Sequence, residues 1–395
     1  MLQGLTEARS FAALEARVFD VLVIGGGITG AGIARDASMR GLSVAIVEKS
    51  DWASGTSGAS SRLIHGGIRY LEHGDIGLVR ESVREREILL RIAPRLVQPL
   101  EFTWPVYEGA RLPGWKLRLG LTVYDLLAGS RRVRRHRALD GAEVMAREPH
   151  LRRTGLKGGA SYFDASTDDE GLTRATIASA VQNGALAVNH ARVESTTKTD
   201  GRIDGAVVAD VTGGGKARVR SRLVVSATGP WQAKGTKGSH VVVPRDRIGN
   251  CSAVTLSAPD DGRVMFVLPS GEKAIIGTTD IRTDESPDDV KASDAEIQYL
   301  LRAANFYFPG ADLSDADIVE TWAAIRPLAT SPPGASPSSI SREHQISRDA
   351  NGLIAVTGGK LTTYRSMAAE VVDEIERSLG RRVKRSPTDE IPIAV

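Results

Sequence analysis

Residues Phe19–Ser50 read FDVLVIGGGITGAGIARDASMRGLSVAIVEKS. An apolar run, Val21–Ile24, meets Gly25-Gly26-Gly27-Ile28-Thr29-Gly30. A stretch of helical character follows, and a second apolar run, Val44–Val47, is closed by Glu48. The order is strand, tight glycine turn, helix, strand, acid. Gly25 permits the turn, Gly27 lets the backbone approach a pyrophosphate, and Gly30 lets helix and strand pack closely. The helix N-terminus presents unpaired N–H groups to an anion. Glu48 stands where a carboxylate accepts hydrogen bonds from a ribose diol. A lone glycine triplet would say little. With its flanking strand, helix and acid, the unit reads as a dinucleotide-binding βαβ.

The remaining bulk properties are those of an ordinary globular chain. At 395 residues, with 41% apolar and 25% charged residues, one large or two intermixed domains are expected. Glycine is enriched at 41 residues, as tight turns and phosphate loops require. Net charge is only +3, with the basic residues unevenly spread. The single cysteine, Cys251, excludes an internal disulfide and a cysteine-based metal site, and fits a reducing compartment. Residues 1–18 carry Glu7, Arg9, Glu15 and Arg17 and lack the apolar core of a signal peptide. No apolar stretch is long enough to span a bilayer. The expectation is a protein that is soluble or lies on a membrane surface.

After the first βαβ unit the sequence continues into a small-residue run, Ala53–Ser61. A charged amphipathic helix follows, with Leu78, Val83, Ile88, Leu89 and Ile92 on or near one face. The segment from Trp115 to Leu127 spaces apolar residues helically with cations among them, and Arg131–Arg137 is strongly basic. A basic amphipathic element beside a tryptophan suits an anionic membrane surface. No nucleic-acid motif accompanies the charge. Residues 168–183 read as a helix. Val188–Glu194, Ala206–Val211, Ala217–Val219 and Leu223–Ala227 read as short strands separated by glycine turns. This meander is unlike the second half of an NAD-type fold, which adds more βα units. Residues 237–344 mix strands and helices, with a turn-rich stretch from Ser331 to Ser339. Gly352–Val356 is then a strand, Thr357–Lys360 a glycine loop, and Leu361 opens a helix with Met367, Val371, Val372, Ile375 and Leu379 on one face. Two glycine loops from opposite ends of the chain imply a discontinuous domain.

Six stretches carry a resemblance: SSRLIHGGIRYLEHGD (60–75), ATGPW (227–231), TKGSHVVVPR (236–245), IIGTTD (275–280), IRPL (325–328) and GGKLTTYR (358–365). The chain resembles the FAD-dependent glycerol-3-phosphate dehydrogenases from Asp20 to about Arg382. The resemblance implies an α/β fold: a glutathione-reductase-type, Rossmann-like FAD domain with a discontinuous antiparallel-sheet substrate domain, shared with the D-amino-acid oxidase group. It places the FAD domain at 18–95, 150–235 and 345–382 and the substrate domain at 96–149 and 236–344. It departs from the family in two places. The chain is short between Trp231 and Thr236, and it stops soon after Ile391, where the family continues into a C-terminal helical domain.

The implied reaction moves a hydride from C2 of sn-glycerol 3-phosphate to flavin N5, giving dihydroxyacetone phosphate, with a quinone as final acceptor. FAD is expected against Gly25, Gly27, Ile28 and Gly30 and against Glu48. Ser60, Ser61, Leu63, His65 and Gly66 lie along the flavin. Val193 meets the adenine through its backbone, and Gly229, Gly359, Lys360, Leu361 and Thr362 close the other side. The helix opening near Leu361 directs its positive end at this loop. The substrate is expected at Arg69, Tyr70, His240, Arg326, Arg342 and Lys360, because arginine forks match phosphate oxygens and several cations around one cleft are costly without an anion. His240, Arg326 and Arg69 are the catalytic candidates. His240 is the base, since an imidazole can accept the C2 hydroxyl proton, and Thr278 and Asp280 shape the pocket wall. The basic segment Lys116–Arg137 is expected on the inner face of the cytoplasmic membrane, and a homodimer is compatible. The alternatives are a glycerol-3-phosphate oxidase, a D-amino-acid or glycine oxidase-like flavoenzyme, and a non-catalytic FAD-binding protein.

Overall fold

The computed structural model describes residues 11–129, 133–229, 235–327 and 344–394, apart from the side chains of Ala12, Arg69, Glu72, His73 and Pro327. Two sheets organise them. The first has a parallel centre in the order Ile354–Thr357, Lys216–Ser226, Val18–Ile24, Val44–Val47, Leu186–Val188. Val21–Ile24 and Val44–Val47 are buried on both faces, which is why they read as unbroken apolar runs. Gln345–Arg348 adds an antiparallel edge, and the hairpin Ala191–Thr199/Arg202–Asp210 is laid onto Lys216–Ser226.

Three helices cover this sheet at one place. Ile28–Met39 packs against both Asp169–Gln182 and Tyr364–Ser378. Its small residues make that possible: a Cβ on Gly32 would stand 3.0 Å from Ala368 and from Tyr364. A helix buried nearly all round needs such residues. Its polar residues are paired, Asp36 with Arg40 at 2.5 Å and Arg40 in turn with Asp373 at 2.5 Å.

The second sheet is largely antiparallel. Its path runs Ile281–Thr283, Gly235–Pro244, Lys273–Gly277, Val264–Ser270, Ala253–Ser257, Val97–Tyr107, Leu156–Thr167, Leu63–Ile64. Glu320–Pro327 pairs with Gly235–Pro244, and Arg137–Leu139 with Leu156–Thr167. Leu63–Ile64 and Leu156–Thr167 thus pair in the second sheet, although both fall in ranges expected in the nucleotide domain. Gly235–Pro244 is buried along almost its whole length despite its polar sequence. Partners explain this: Lys237 meets Glu296 at 2.9 Å, and Ser239 donates to the same carboxylate at 2.8 Å.

Three expectations are refined. Ala217–Val219 and Leu223–Ala227 belong to one strand, Lys216–Ser226. Its first part alternates buried and exposed beside the hairpin, and its last four residues are buried continuously between parallel neighbours. The helix expected from Leu361 begins as a tight turn, Leu361–Thr363, and continues as Tyr364–Ser378. The turn-rich stretch Ser331–Ser339 and the short segment beside Trp231 lie outside the described residues.

Candidate functional site

A cleft of about 1110 Å³ opens between the sheets, at the carboxyl ends of the central parallel strands. Both glycine loops line it: Gly25, Gly27 and Ile28 from one end of the chain, Gly359, Lys360, Leu361 and Thr362 from the other. The loops meet through a third segment. His65 N–H donates to Thr362 Oγ1 at 3.2 Å, and the Thr362 hydroxyl donates back to the His65 carbonyl at 3.3 Å.

The nucleotide side is built as its sequence requires. Gly30 lies behind the cleft wall, where a Cβ would come within 1.9 Å of the Gly25 carbonyl oxygen. Its role is the close packing of loop on helix. Glu48 is held by two backbone amides, Gly26 N–H to Oε2 at 2.6 Å and Ser50 N–H to Oε1 at 2.8 Å. The carboxylate is thereby aimed before any diol arrives. Val193 and Gly229 line the cleft, as do Ser60, Ser61, Leu63 and His65. Gly66 faces away: its N–H donates to Asp164 at 3.0 Å, and a Cβ there would strike the Tyr124 hydroxyl. Ser57, which sequence alone did not single out, accepts from Ile28 N–H at 2.9 Å at the helix start. Helix-start amides, an anchored Glu48 and a second glycine loop fit an FAD dinucleotide.

The other wall carries cations and aromatic rings. Arg326 Nη1 donates to Asp280 Oδ1 at 2.9 Å and Nη2 to Thr278 Oγ1 at 2.9 Å. Asp280 also pairs through Oδ2 with Arg263 at 3.1 Å. One carboxylate therefore aligns two guanidinium groups, and both arginines line the cleft. Arg263 was not legible beforehand; it sits in an Asp260-Asp261-Gly262 turn that reads as solvated surface. Lys360 Nζ lies 3.8 Å from the centre of the Tyr70 ring, a cation–π pair. Arg69 is on the turn Ile68–His73, its side chain undescribed, and Arg342 lies outside the described residues.

His240 is buried, with 3% exposure. Its Nε2 is 2.9 Å from Ser61 Oγ, and its ring stacks on Trp322 at 5.0 Å and 18°. Burial first, then the charges of Arg326 and Arg62, push its pKa from 6.5 down to about 3, so the imidazole is neutral. Trp322 and Arg62 also escaped sequence reading. Neither type signals chemistry alone, and only strand pairing brings Trp322 opposite His240. Among the described residues no cluster suits a metal ion, and no helix is long and apolar enough to cross a membrane.

Fold and cleft together make the chain an FAD-dependent oxidoreductase, and the family of that description matches residues 20–372. The aerobic glycerol-3-phosphate dehydrogenase of Staphylococcus saprophyticus is 38% identical over 381 residues, 93% of this chain and 68% of the relative. The glycerol-3-phosphate dehydrogenase of Synechocystis is 40% identical, over 96% of this chain and 74% of its own. The structure of the Bacillus halodurans glycerol-3-phosphate dehydrogenase complexed with FAD superposes with a TM-score of 0.81 at 31% identity, covering 100% of this chain and 71% of that one. Within the flavoprotein family, the chain belongs to the glycerol-3-phosphate dehydrogenases.

Proposed function

We propose that this chain oxidises sn-glycerol 3-phosphate to dihydroxyacetone phosphate and passes the electrons to a quinone at a membrane surface. The observation that carries the substrate is the grouping of Arg326, Arg263 and Lys360 in the cleft that both glycine loops line. Asp280 holds two of these cations toward the cleft, and three cations on separate elements suit a phosphate dianion, whose charge-assisted hydrogen bonds contribute about 1.5–3 kcal/mol each. Neutral His240 is the sink for the C2 hydroxyl proton. Tyr162, Phe102 and Phe266 give the pocket an apolar wall that limits water around the reacting carbon. FAD, held by the glycine loops and Glu48, supplies the hydride acceptor when bound.

The quinone and the membrane rest on the helix Gly114–Ala128. Leu117, Leu121 and Tyr124 face inward, while Trp115, Leu119 and Leu126 are 60%, 58% and 73% exposed. These three fall on one outward stripe, with Lys116 and Arg118 beside it. Apolar side chains flanked by cations suit an anionic bilayer surface.

Anaerobic addition of sn-glycerol 3-phosphate to the purified FAD-loaded protein should bleach the flavin absorption band. No bleaching by this compound, together with bleaching by an amino acid, would overturn the substrate assignment.

A further inference from the structure

On the reading of the cleft given above, we propose that Ser61 is a catalytic residue: its hydroxyl meets the substrate's C2 hydroxyl and relays the proton to His240 Nε2. His240 borders the cleft but is only 3% exposed, and its basic nitrogen is covered. One ring face lies on Trp322. The Cδ2 edge is so close to Gly277 that a Cβ there would stand 2.3 Å away. Nδ1 is buried with no hydrogen-bond partner among the described residues. Nε2 points at Ser61 Oγ, 2.9 Å away. Ser61 is only partly buried and lines the cleft, so its hydroxyl offers a substrate oxygen a route to Nε2.

The backbone around Ser61 is fixed on both sides. Ser60 N–H donates to Asp169 at 3.1 Å, and the Ser60 carbonyl accepts from Trp322 Nε1 at 3.2 Å. Arg62 N–H donates to Ser60 Oγ at 2.9 Å, and the Arg62 guanidinium lies over the Trp322 ring at 4.9 Å. Arg62 itself has φ 54°, a left-handed conformation that a non-glycine residue adopts at a cost. The strain lies next to the residue it orients. Trp322 and Arg62 are therefore positioning residues for the Ser61–His240 pair.

The step balances. With FAD bound, the C2–H bond would break with its electron pair leaving as hydride to the cofactor. The C2 hydroxyl proton goes to Ser61 Oγ, whose own proton goes to His240 Nε2, and the C2–O bond becomes a carbonyl. Ser61 ends neutral and His240 ends as imidazolium. A phosphate dianion at Arg326 offsets part of the positive field that disfavours that cation.

Flavin reduction under anaerobic rapid mixing tests the relay in Ser61→Ala, Ser61→Thr, His240→Gln and the double variant Ser61→Ala/His240→Gln. Positioned proton transfer contributes about 10²–10⁴-fold, so Ser61→Ala with FAD bound should reduce at least about a hundredfold more slowly. Ser61→Thr, which keeps the hydroxyl, should recover most of that loss. The double variant should be no slower than the slower single variant, because the pair acts as a unit. Wild-type reduction rates in Ser61→Ala, or losses that multiply in the double variant, overturn the relay while leaving the substrate assignment standing. If Ser61→Ala fails to hold FAD, Ser61→Thr decides: a rate far below wild type overturns the proposal, and a near-wild-type rate supports it. A wild-type flavin that the substrate does not reduce removes both readings together.

Discussion

At the scale of single residues, the neutral state of His240 has consequences that can be titrated. A histidine working at its ordinary pKa would give kcat/KM an acid limb near 6.5. Burial and the two arginines move that limb down to about 3, so the profile should be flat through the mid-acid range as far as His240 is concerned. Stability should move in the same window. Below 6.5 the unfolded chain takes up a proton that the native imidazole refuses until about 3. The native state is thus fully favoured above 6.5 and loses this contribution as pH falls toward 3. Replacing His240 with Asn should flatten the decline in denaturant midpoint on acidification. An acid limb at 6.5 that vanishes in His240→Asn would contradict the burial argument. His240 and Arg326 were legible because each sits in a distinctive stretch, TKGSH and IRPL. Arg263 and Trp322 were not, because an arginine in an Asp-Gly turn and a tryptophan in a strand acquire meaning only from what strand pairing sets opposite them.

At the scale of elements, the strand Gly235–Pro244 does most of the assembly. One edge pairs His240 with Gly277, and the other pairs His240 with Trp322 and Thr236 with Arg326. A register slip of one residue would turn every one of these side chains to the opposite face. Gly238 is the tight point. A Cβ there would lie 2.5 Å from Arg326 Nη2 and 2.7 Å from Thr278 Oγ1. Both are side-chain atoms, and the guanidinium is the flexible one, so Gly238→Ala should fold but displace Arg326. Losing one charge-assisted phosphate contact of about 1.5–3 kcal/mol corresponds to a rise in KM of roughly ten- to a hundredfold, with FAD content unchanged. An unaltered KM for sn-glycerol 3-phosphate would take Arg326 out of the substrate site. The first βαβ unit could be read directly, since each glycine had a local reason to be there. The long strand Lys216–Ser226 could not, because its pattern changes from alternating to continuous where its neighbours change, and those neighbours are far away in the chain.

At the scale of the whole molecule, the helix Gly114–Ala128 links the surface to the cleft. Its outer stripe exposes Trp115, Leu119 and Leu126, the face proposed to meet a bilayer, and its inner face packs on the helix Ile76–Ile92 and the strand Leu156–Thr167. Tyr124 on that inner face donates to Asp164 at 2.5 Å, and Asp164 lines the cleft while accepting from Gly66 N–H. The helix and its Tyr124–Asp164 contact therefore lie between the proposed membrane face and the loop along which FAD is expected. This arrangement would bring the electron source close to a lipid-dissolved acceptor. Co-sedimentation with vesicles containing anionic lipid at low salt should retain the wild-type protein. Each surface cation near such a membrane is worth about 1 kcal/mol, so Lys116→Glu/Arg118→Glu should weaken binding by at least about tenfold. Leu119→Ser/Leu126→Ser should weaken it at any salt concentration, because apolar insertion is not screened. Flavin reduction by the substrate should be unchanged in both variants, while electron transfer to a membrane-dissolved quinone should fall with vesicle affinity. Wild-type protein that stays in the supernatant at low salt, or variants that reduce the quinone at full rate, would show that this face serves something other than a bilayer.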